Sequence, residues 1–334
     1  MPLKEVLGHR RLVALIARSV SRASLPPSLI FSGPAGVGKR LTAVATAQLL
    51  NCTNRVGEGV EIDACGVCAA CARIARGVHS DVIVVEPGES GSIKIEQIRD
   101  IVDRAAYRPF EGRCRVVVVD GADGLVPAAQ NALLKTLEEP PTASIFILIT
   151  AQPDLLLSTV RSRCPCLRFG PLPAEDVVAA LVQRGRTETE ARAVAATADG
   201  SLRRAFESIA GDLVQGREVA EHVLVRAAGT DDPRRRLEGA KDLLTKSGGV
   251  GDRDQLAVHL RSISSLLRDA QILAIHADVR ALSHPDLMPT LERLAQVYRG
   301  DRGLRAFGAV DRALAALDRN ASVKIVADWL MLQL

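Results

Sequence analysis

The sequence predicts an α/β domain, with a parallel β-sheet between two layers of helices, followed by a part made only of helices. Three observations support this division. Short apolar runs recur in the first half, helical periodicity fills the segments between them, and the apolar runs stop after Arg168–Pro173. Continuous apolar runs are typical of strands buried on both faces of a parallel sheet. We therefore expect a three-layer domain first and helices afterwards.

Four strands are expected in the first domain, one from each apolar run. The runs are Ser28–Gly33, Asp81–Pro87, Cys114–Asp120 and Ser144–Thr150. A helix is expected over Ile93–Ala106, because its spacing places Ile95, Ile98 and Val102 on one face. In the last third, helical spacing predicts two apolar stripes that pack in the core or against a neighbouring subunit. The first is Leu256, Leu260, Ile263 and Leu267, and the second is Leu304, Phe307, Val310, Leu314 and Leu317.

Length and composition indicate a globular chain of several domains. At 334 residues the chain exceeds one ordinary core. The pattern changes after residue 170 and again at Gly229–Pro233, which predicts domains at 1–170, 171–229 and 230–334. With 47% hydrophobic and 25% charged residues, a disordered chain is excluded. The net charge of +4 permits contact with DNA phosphates without demanding it.

No targeting or membrane segment is expected. No apolar run reaches the ~20 residues that span a bilayer. The N-terminal segment has some features of a transit peptide, but Glu5 and the strand that follows favour a structural helix. The seven cysteines are an odd number, and four of them crowd into Cys52–Cys71. This usage favours metal ligands in the reducing cytoplasm over disulfides.

A glycine-rich segment follows the first strand and opens a helix. It runs Gly33-Pro34-Ala35-Gly36-Val37-Gly38-Lys39, which is the spacing of a phosphate-binding loop. Gly33, Gly36 and Gly38 allow backbone N–H groups to surround a phosphate, and Lys39 supplies a positive charge. We therefore expect a nucleotide-binding loop, and we call Gly33–Lys39 the phosphate loop.

The position after the lysine departs from that motif. A Ser or Thr there normally ligates Mg²⁺, but this chain has Arg40. Thr42 is not expected to substitute, because two residues turn a helix by about 200°. Two interpretations stay open. Either the loop survives only as a scaffold, or ATP or ADP binds without a properly held Mg²⁺.

A carboxylate ends the third predicted strand. Asp120 occupies the place where P-loop enzymes carry the acidic residue on the Mg²⁺ side. Gly121 follows it, so no base for activating water stands next to the metal position. Asp123 is a candidate substitute, although an Asp in such a turn more often caps the next helix.

The cysteines form a pattern that suits a closed metal site. Cys52, Cys65, Cys68 and Cys71 are spaced C-x12-C-x2-C-x2-C. Four thiolates satisfy a structural tetrahedral Zn²⁺, and an iron–sulfur cluster is the alternative. The other three cysteines lie on or beside strands and are expected to be buried thiols: Cys114, Cys164 and Cys166.

Two further motifs closely resemble the bacterial clamp-loader family of the AAA+ class. They are Asn131–Pro141, with the sequence NALLKTLEEPP, and Ser162-Arg163-Cys164. The resemblance covers Val6 to about Ala205 and continues more weakly to the C-terminus. It implies an AAA+ P-loop module at 1–170 with a zinc-binding insertion at 52–71, a helical lid at 171–229 and an all-α collar at 230–334.

The resemblance also implies roles for single residues. Arg163 corresponds to the arginine finger, which acts in trans on the ATP site of the adjacent subunit, whereas a plain surface arginine is the alternative. Arg203 corresponds to the lid arginine that senses nucleotide. Val6 belongs to the segment near the adenine, where His9 is either a contact or the residue before a helix. The sensor of the γ-phosphate falls near Ala151, whose side chain cannot hydrogen-bond.

Three departures point the same way. Arg40, Gly121 and Ala151 leave the chain with a nucleotide loop and Arg163 but without its own hydrolytic residues, a combination that resembles the delta-prime branch. The implied partners are the gamma/tau and delta subunits, the sliding clamp and primer–template DNA, in a pentameric DNA polymerase III loader. One alternative is a hydrolysing motor of the gamma/tau type. Another is an unrelated P-loop kinase, against which the two motifs argue.

Overall fold

The computed structural model describes residues 2–88, 91–207, 210–230, 232–244, 252–277, 282, 284, 287–319 and 321–334. The chain forms two compact units. The first comprises Met1–Asp176 with Gly200–Arg203, and the second comprises Val177–Asp199 with Arg204–Leu334. The predicted separation of the later part into a lid at 171–229 and a collar at 230–334 stays a prediction.

The first unit is built on a parallel sheet of five strands. Its order is β2-β3-β4-β1-β5, with β1 at Ser28–Ser32, β2 at Val82–Val85, β3 at Arg115–Asp120, β4 at Ser144–Thr150 and β5 at Cys166–Arg168. Each neighbouring pair is parallel. Because the carboxyl ends of parallel strands meet at one edge, the loops that follow β1, β2, β3 and β4 gather there.

Helices cover both faces of this sheet. They are α1 (Arg10–Ser21), α2 (Lys39–Asn51), α3 (Ala69–Ala75), α4 (Ile95–Ala105), α5 (Pro127–Glu138) and α6 (Ser158–Arg161). One core joins α1 and α2 to alternate strand residues such as Phe31 and Val118. The other joins α4 and α5 to residues of opposite orientation such as Val117 and Phe146. This arrangement confirms the predicted three-layer α/β class.

The second unit is helical throughout its described residues. The helices that lie in it or enter it are α7 (Ala174–Gln183), α8 (Glu188–Thr197), α9 (Leu202–Glu207), α10 (Ala210–Ala228), α11 (Pro233–Leu243), α12 (Asp252–Ala274), α13 (Met288–Val297), α14 (Asp301–Asp318) and α15 (Val323–Gln333). The stripe predicted from Leu256 to Leu267 is fully buried in this core. The stripe predicted from Leu304 to Leu317 packs in the same core except at Leu304, which is exposed, so the prediction of core packing is wrong at that residue. Among the described residues, no helix combines the length and apolar character that crossing a membrane requires.

The fifth strand corrects one prediction about the cysteines. Cys166 was expected to be a buried thiol, and this is wrong, because β5 lies at the edge of the sheet and exposes that side chain. Cys164 is buried as expected, and burial raises the pKa of its thiol to about 11. Cys114 is partly buried.

Candidate functional site

The phosphate loop connects β1 to α2 at the carboxyl edge of the sheet. Gly33, Gly36 and Gly38 have φ angles of 142°, 78° and 103°, which L side chains rarely adopt. Lys39 is 7% exposed, and its Nζ donates to the carbonyls of Gly33 at 2.5 Å and Pro34 at 2.6 Å. Burial lowers the pKa of Lys39, and the nearby Asp120 and Asp123 partly oppose this. The glycines therefore have the conformations that only a glycine-rich loop can adopt, and phosphate binding by this loop stays a prediction.

A segment from much later in the chain packs against the phosphate loop. A Cβ added to Gly36 would lie 2.1 Å from Ser201 Oγ and 2.7 Å from Arg203 Cβ. The N–H of Arg203 donates to the carbonyl of Gly36 at 3.3 Å. The structure therefore places Arg203 beside the loop, and only glycine fits at position 36, whereas the sensing of nucleotide by Arg203 stays a prediction.

The N-terminal segment also reaches the phosphate loop. His9 Nε2 lies 3.0 Å from the carbonyl oxygen of Val37, and its ring packs edge-on against Phe169 with centroids 4.9 Å apart. His9 also immediately precedes α1, which confirms the interpretation as the residue before a helix, whereas its contact with a nucleotide stays a prediction. Val6 is 8% exposed and belongs to the core beneath the loop.

An ion pair occupies the region where a P-loop enzyme would bind its metal. Arg40 Nη1 lies 3.2 Å from Asp120 Oδ2 and also pairs with Glu86 Oε1. Thr42 is fully buried and donates its hydroxyl to the carbonyl of Gly38 at 2.9 Å, within its own helix. It is therefore not placed to replace the hydroxyl that Arg40 lacks.

Asp123 joins the turn after β3 to the end of β4. Its Oδ1 accepts the hydroxyl of Thr150 at 2.8 Å and the N–H of Ala151 at 3.1 Å. The hydroxyl oxygen of Thr150 in turn accepts the N–H of Gln152 at 3.0 Å. The expectation that Asp123 caps the next helix is wrong, because α5 begins after Val126 without a side-chain cap.

Arg163 lies between α6 and β5, where its partners belong to helices. Nη1 donates to the carbonyl of Thr159 at 2.8 Å, and Nη2 pairs with Oε1 of Glu138, the last residue of α5. One third of the Arg163 side chain is exposed. Its hydrogen bonds are therefore not to the phosphate loop of its own chain.

The four clustered cysteines form a compact sulfur site. Their Sγ atoms all lie within 4.8 Å of one another. Cys52 follows α2, and Cys68 precedes α3. Backbone N–H groups of Cys65 and Cys68 donate to the sulfurs of Cys52 and Cys65, each at 3.3 Å. Such a closed set of thiols could hold a tetrahedral metal ion.

The loop that carries these cysteines is bonded to the start of the chain. Asp63 is 5% exposed, its Oδ1 accepts the N–H of Leu3 and its Oδ2 accepts that of Lys4, both at 2.9 Å. Gln48 of α2 donates to the carbonyl of Cys71 at 2.8 Å. The sulfur site therefore connects the end of α2 with the N-terminal segment.

Comparisons with known proteins identify the family. The family model described as DNA polymerase III, delta subunit, matches residues 8–173, about half of the chain. The DNA polymerase III subunit delta' of Pseudomonas aeruginosa is 39% identical over 152 residues, 45% of each chain. The chain belongs to the DNA polymerase III clamp-loader subunit family.

Other members of the clamp-loader family match over different lengths. The gamma/tau subunit of Mycobacterium tuberculosis H37Rv is 35% identical over 54% of this chain and 30% of its own length. The tau subunit of Salmonella typhimurium is 28% identical over 94% of this chain and 47% of its own. A gamma subunit-related protein of Thermotoga maritima superimposes with a TM-score of 0.43 at 17% identity, covering 95% of this chain and 97% of that one. In contrast to that solved structure, the curated relatives are longer, and the chain spans less than half the length of those it matches.

The clamp-loader motifs lie at two places in the first unit. The phosphate loop, Asp120, Arg203 and the N-terminal segment gather at the carboxyl edge of the sheet, whereas Arg163 is held by α5 and α6. Two important acids were missed from the sequence. Glu86 follows β2, so the rule that parallel strands end at one edge could have found it. No local signal marks Asp63, since its partners lie about sixty residues away.

Proposed function

We propose that this chain is a delta-prime-like subunit of the DNA polymerase III clamp loader. In this role it helps to place the sliding clamp on primed DNA, presents Arg163 to the ATP of the adjacent motor subunit and does not hydrolyse ATP itself. The observation that carries the proposal is the Arg40–Asp120 ion pair, which sets a guanidinium where a hydrolysing subunit needs Mg²⁺. Gly121 supplies no base beside it.

The chemistry of Arg163 suits action on another subunit. A guanidinium is planar and permanently charged, so it can contact two phosphate oxygens while charge shifts in the transition state. In this chain it contacts the carbonyl of Thr159, the hydroxyl of Ser162 and one exposed carboxylate, and exposed ion pairs of this kind stabilise by only about 0–1 kcal/mol. A neighbour's triphosphate could therefore compete with Glu138 for it.

The proposed partners and cofactors follow from the family. They are the gamma/tau and delta subunits, the sliding clamp and primer–template DNA in a pentameric cytoplasmic assembly. Zn²⁺ is the proposed ion of the cysteine site, because four closely spaced sulfurs suit a closed structural zinc site. Against the effect of burial, hydrogen bonds from Thr53 and Cys71 lower the pKa of Cys68, whereas burial raises the pKa values of Cys52 and Cys71. The proposal of zinc therefore depends on the geometry of the four sulfurs.

The test replaces Arg163 in a reconstituted loader. Arg163→Ala should still fold and assemble, because it loses only the pair with Glu138 and exposed hydrogen bonds to Thr159 and Ser162. ATP hydrolysis at the adjacent site, measured in a single turnover, should fall by ~10³-fold or more, whereas the control Arg161→Ala should stay within about twofold of wild type. Arg161 is a fair control because it ends α6, two residues before Arg163, and pairs with the exposed Asp154. An unchanged rate with Arg163→Ala would remove the finger assignment.

A motor subunit of the gamma/tau type is the second candidate. The alignment with the tau subunit of Salmonella typhimurium over 94% of this chain favours it. The isolated chain would then hydrolyse ATP, and Lys39→Ala would abolish that activity. Absence of turnover by the pure chain, together with the Arg163→Ala effect in the loader, would support the first proposal.

A further inference from the structure

We propose that the phosphate loop of this chain binds a nucleotide polyphosphate free of Mg²⁺, with the guanidinium of Arg40 in place of the metal. This inference rests on the proposed function, because it concerns a pocket that is not used for hydrolysis. It differs from the finger proposal in the residues involved, since Arg163 takes no part.

The position of Arg40 carries the inference. It is the second residue of α2, where a P-loop enzyme offers a hydroxyl to Mg²⁺. Its guanidinium reaches Asp120 at the end of β3 and Glu86 just after β2, two strands that are neighbours in the sheet. The two sides of the usual metal position are thus already joined by one side chain.

The residues present do not fit a bound Mg²⁺. This ion requires near-octahedral oxygen ligands at about 2.0–2.1 Å. The hydroxyl ligand is missing at position 40, and the hydroxyl of Thr42 is bonded to Gly38 inside the helix. The carboxylate of Asp120 would have to leave Arg40 before it could face a metal, and the divalent ion would then lie beside the guanidinium of Arg40. Each of these changes opposes Mg²⁺.

The same residues do fit a polyphosphate without a metal. A guanidinium has five N–H donors, so it can hold carboxylates with one edge and a phosphate oxygen with another. About half of the Arg40 side chain is exposed, which leaves such an edge accessible. Lys39 and the N-terminal turn of α2 add positive charge on the same side. Arg40 also faces Asp120 and Glu86, and these carboxylates keep it fixed before any ligand arrives.

The inference predicts how Mg²⁺ changes nucleotide binding. ADP is titrated into the full-length, metal-loaded chain by calorimetry, with millimolar Mg²⁺ and in buffer freed of Mg²⁺ beforehand, because EDTA would also strip the cysteine site. Wild type should bind ADP in the Mg²⁺-free buffer at least as tightly as with Mg²⁺. Arg40→Thr, which restores the hydroxyl, should bind about tenfold or more weakly without Mg²⁺, the scale of one charge-assisted hydrogen bond, and should recover when Mg²⁺ is added.

Two further variants keep the test decisive. Arg40→Lys retains a cation and should bind ADP without Mg²⁺. Arg76→Thr removes an exposed arginine after α3 and should behave as wild type. Wild-type binding that requires Mg²⁺ would overturn the inference, and so would Arg40→Thr binding that ignores Mg²⁺. No ADP binding by wild type in either buffer would mean that the loop is only a scaffold, which also overturns it while the Arg163 proposal stands.

Discussion

A buried acid beside the sheet offers a sharp test of what stabilises the first unit. Asp81 immediately precedes β2 and is fully buried. Its two oxygens accept the N–H groups of Phe110, Glu111 and Gly112, each at 2.8 Å, and Nη2 of Arg115 at 2.9 Å. The carboxylate thus organises the turn between α4 and β3. Asp81→Asn keeps the shape of the side chain and removes its charge.

The expected loss of stability follows from these contacts. Burial alone would raise the pKa of Asp81, but the three N–H donors and Arg115 outweigh it and lower the pKa from 3.8 to about 2. That difference corresponds to about 2–3 kcal/mol at neutral pH. The variant also leaves the buried guanidinium of Arg115 without its carboxylate, so the total loss should be about 3–5 kcal/mol.

The pH dependence has a definite sign. The pKa of Asp81 is depressed in the folded state, so its contribution is fully present above the unfolded value of about 3.9 and is lost as the pH falls through about 2. The free energy of unfolding of the wild type should therefore drop between pH 4 and pH 2 more steeply than that of Asp81→Asn.

The assay is native-state hydrogen exchange of the amides of β3 and β4, which reports on the first unit separately. Asp100→Asn is the matched control, because Asp100 is 69% exposed and only forms a long helical ion pair with Arg104. A loss below about 1 kcal/mol for Asp81→Asn, or a loss equal to that of the control, would refute the reasoning.

Two predictions concern the cysteine site. Metal analysis should find about one Zn²⁺ per chain, and Cys71→Ser, which removes a fully buried sulfur, should abolish it; iron, or no metal in wild type, would contradict this. Asp63→Asn should lower the free energy of unfolding by about 1–3 kcal/mol, because the N–H groups of Leu3 and Lys4 lose a charged acceptor. Hydrogen exchange at residues 3–6 should become faster, while the zinc is retained. Glu61→Gln, at an exposed position, is the control. Equal exchange rates in the two variants would show that Asp63 does not hold the N-terminal segment in place.

Most of the sheet was predictable because its signals are local. Val116–Val119 and Ser144–Thr150 are continuous apolar runs, and both form strands that are buried along most of their length. The fifth strand was missed because Cys166–Arg168 is three residues long and lies at an edge, with only Leu167 partly buried. So short a segment has no periodicity that separates it from a loop.

The candidate site divides in the same way. The glycines of the phosphate loop follow from a fixed spacing along the chain, whereas Arg163 follows from the resemblance of its motif to the clamp-loader family, and its role stays a prediction. Contacts between residues far apart in the chain produce no such local pattern in the sequence. In the sequence Asp63 looks like an ordinary loop acid and Asp81 like the first residue of a strand, and only the fold brings backbone N–H groups around each carboxylate.

The contact at Gly36 has a consequence for how this protein is made. Ser201 and Arg203 contact that glycine directly. Gly200–Arg203 belong to the first unit, although residues 177–199, which precede them in the sequence, belong to the second. During translation, the phosphate loop therefore lacks its contacts with Ser201 and Arg203 until α7 and α8 have been synthesised. A contiguous fragment that stops at residue 176 would carry that defect permanently.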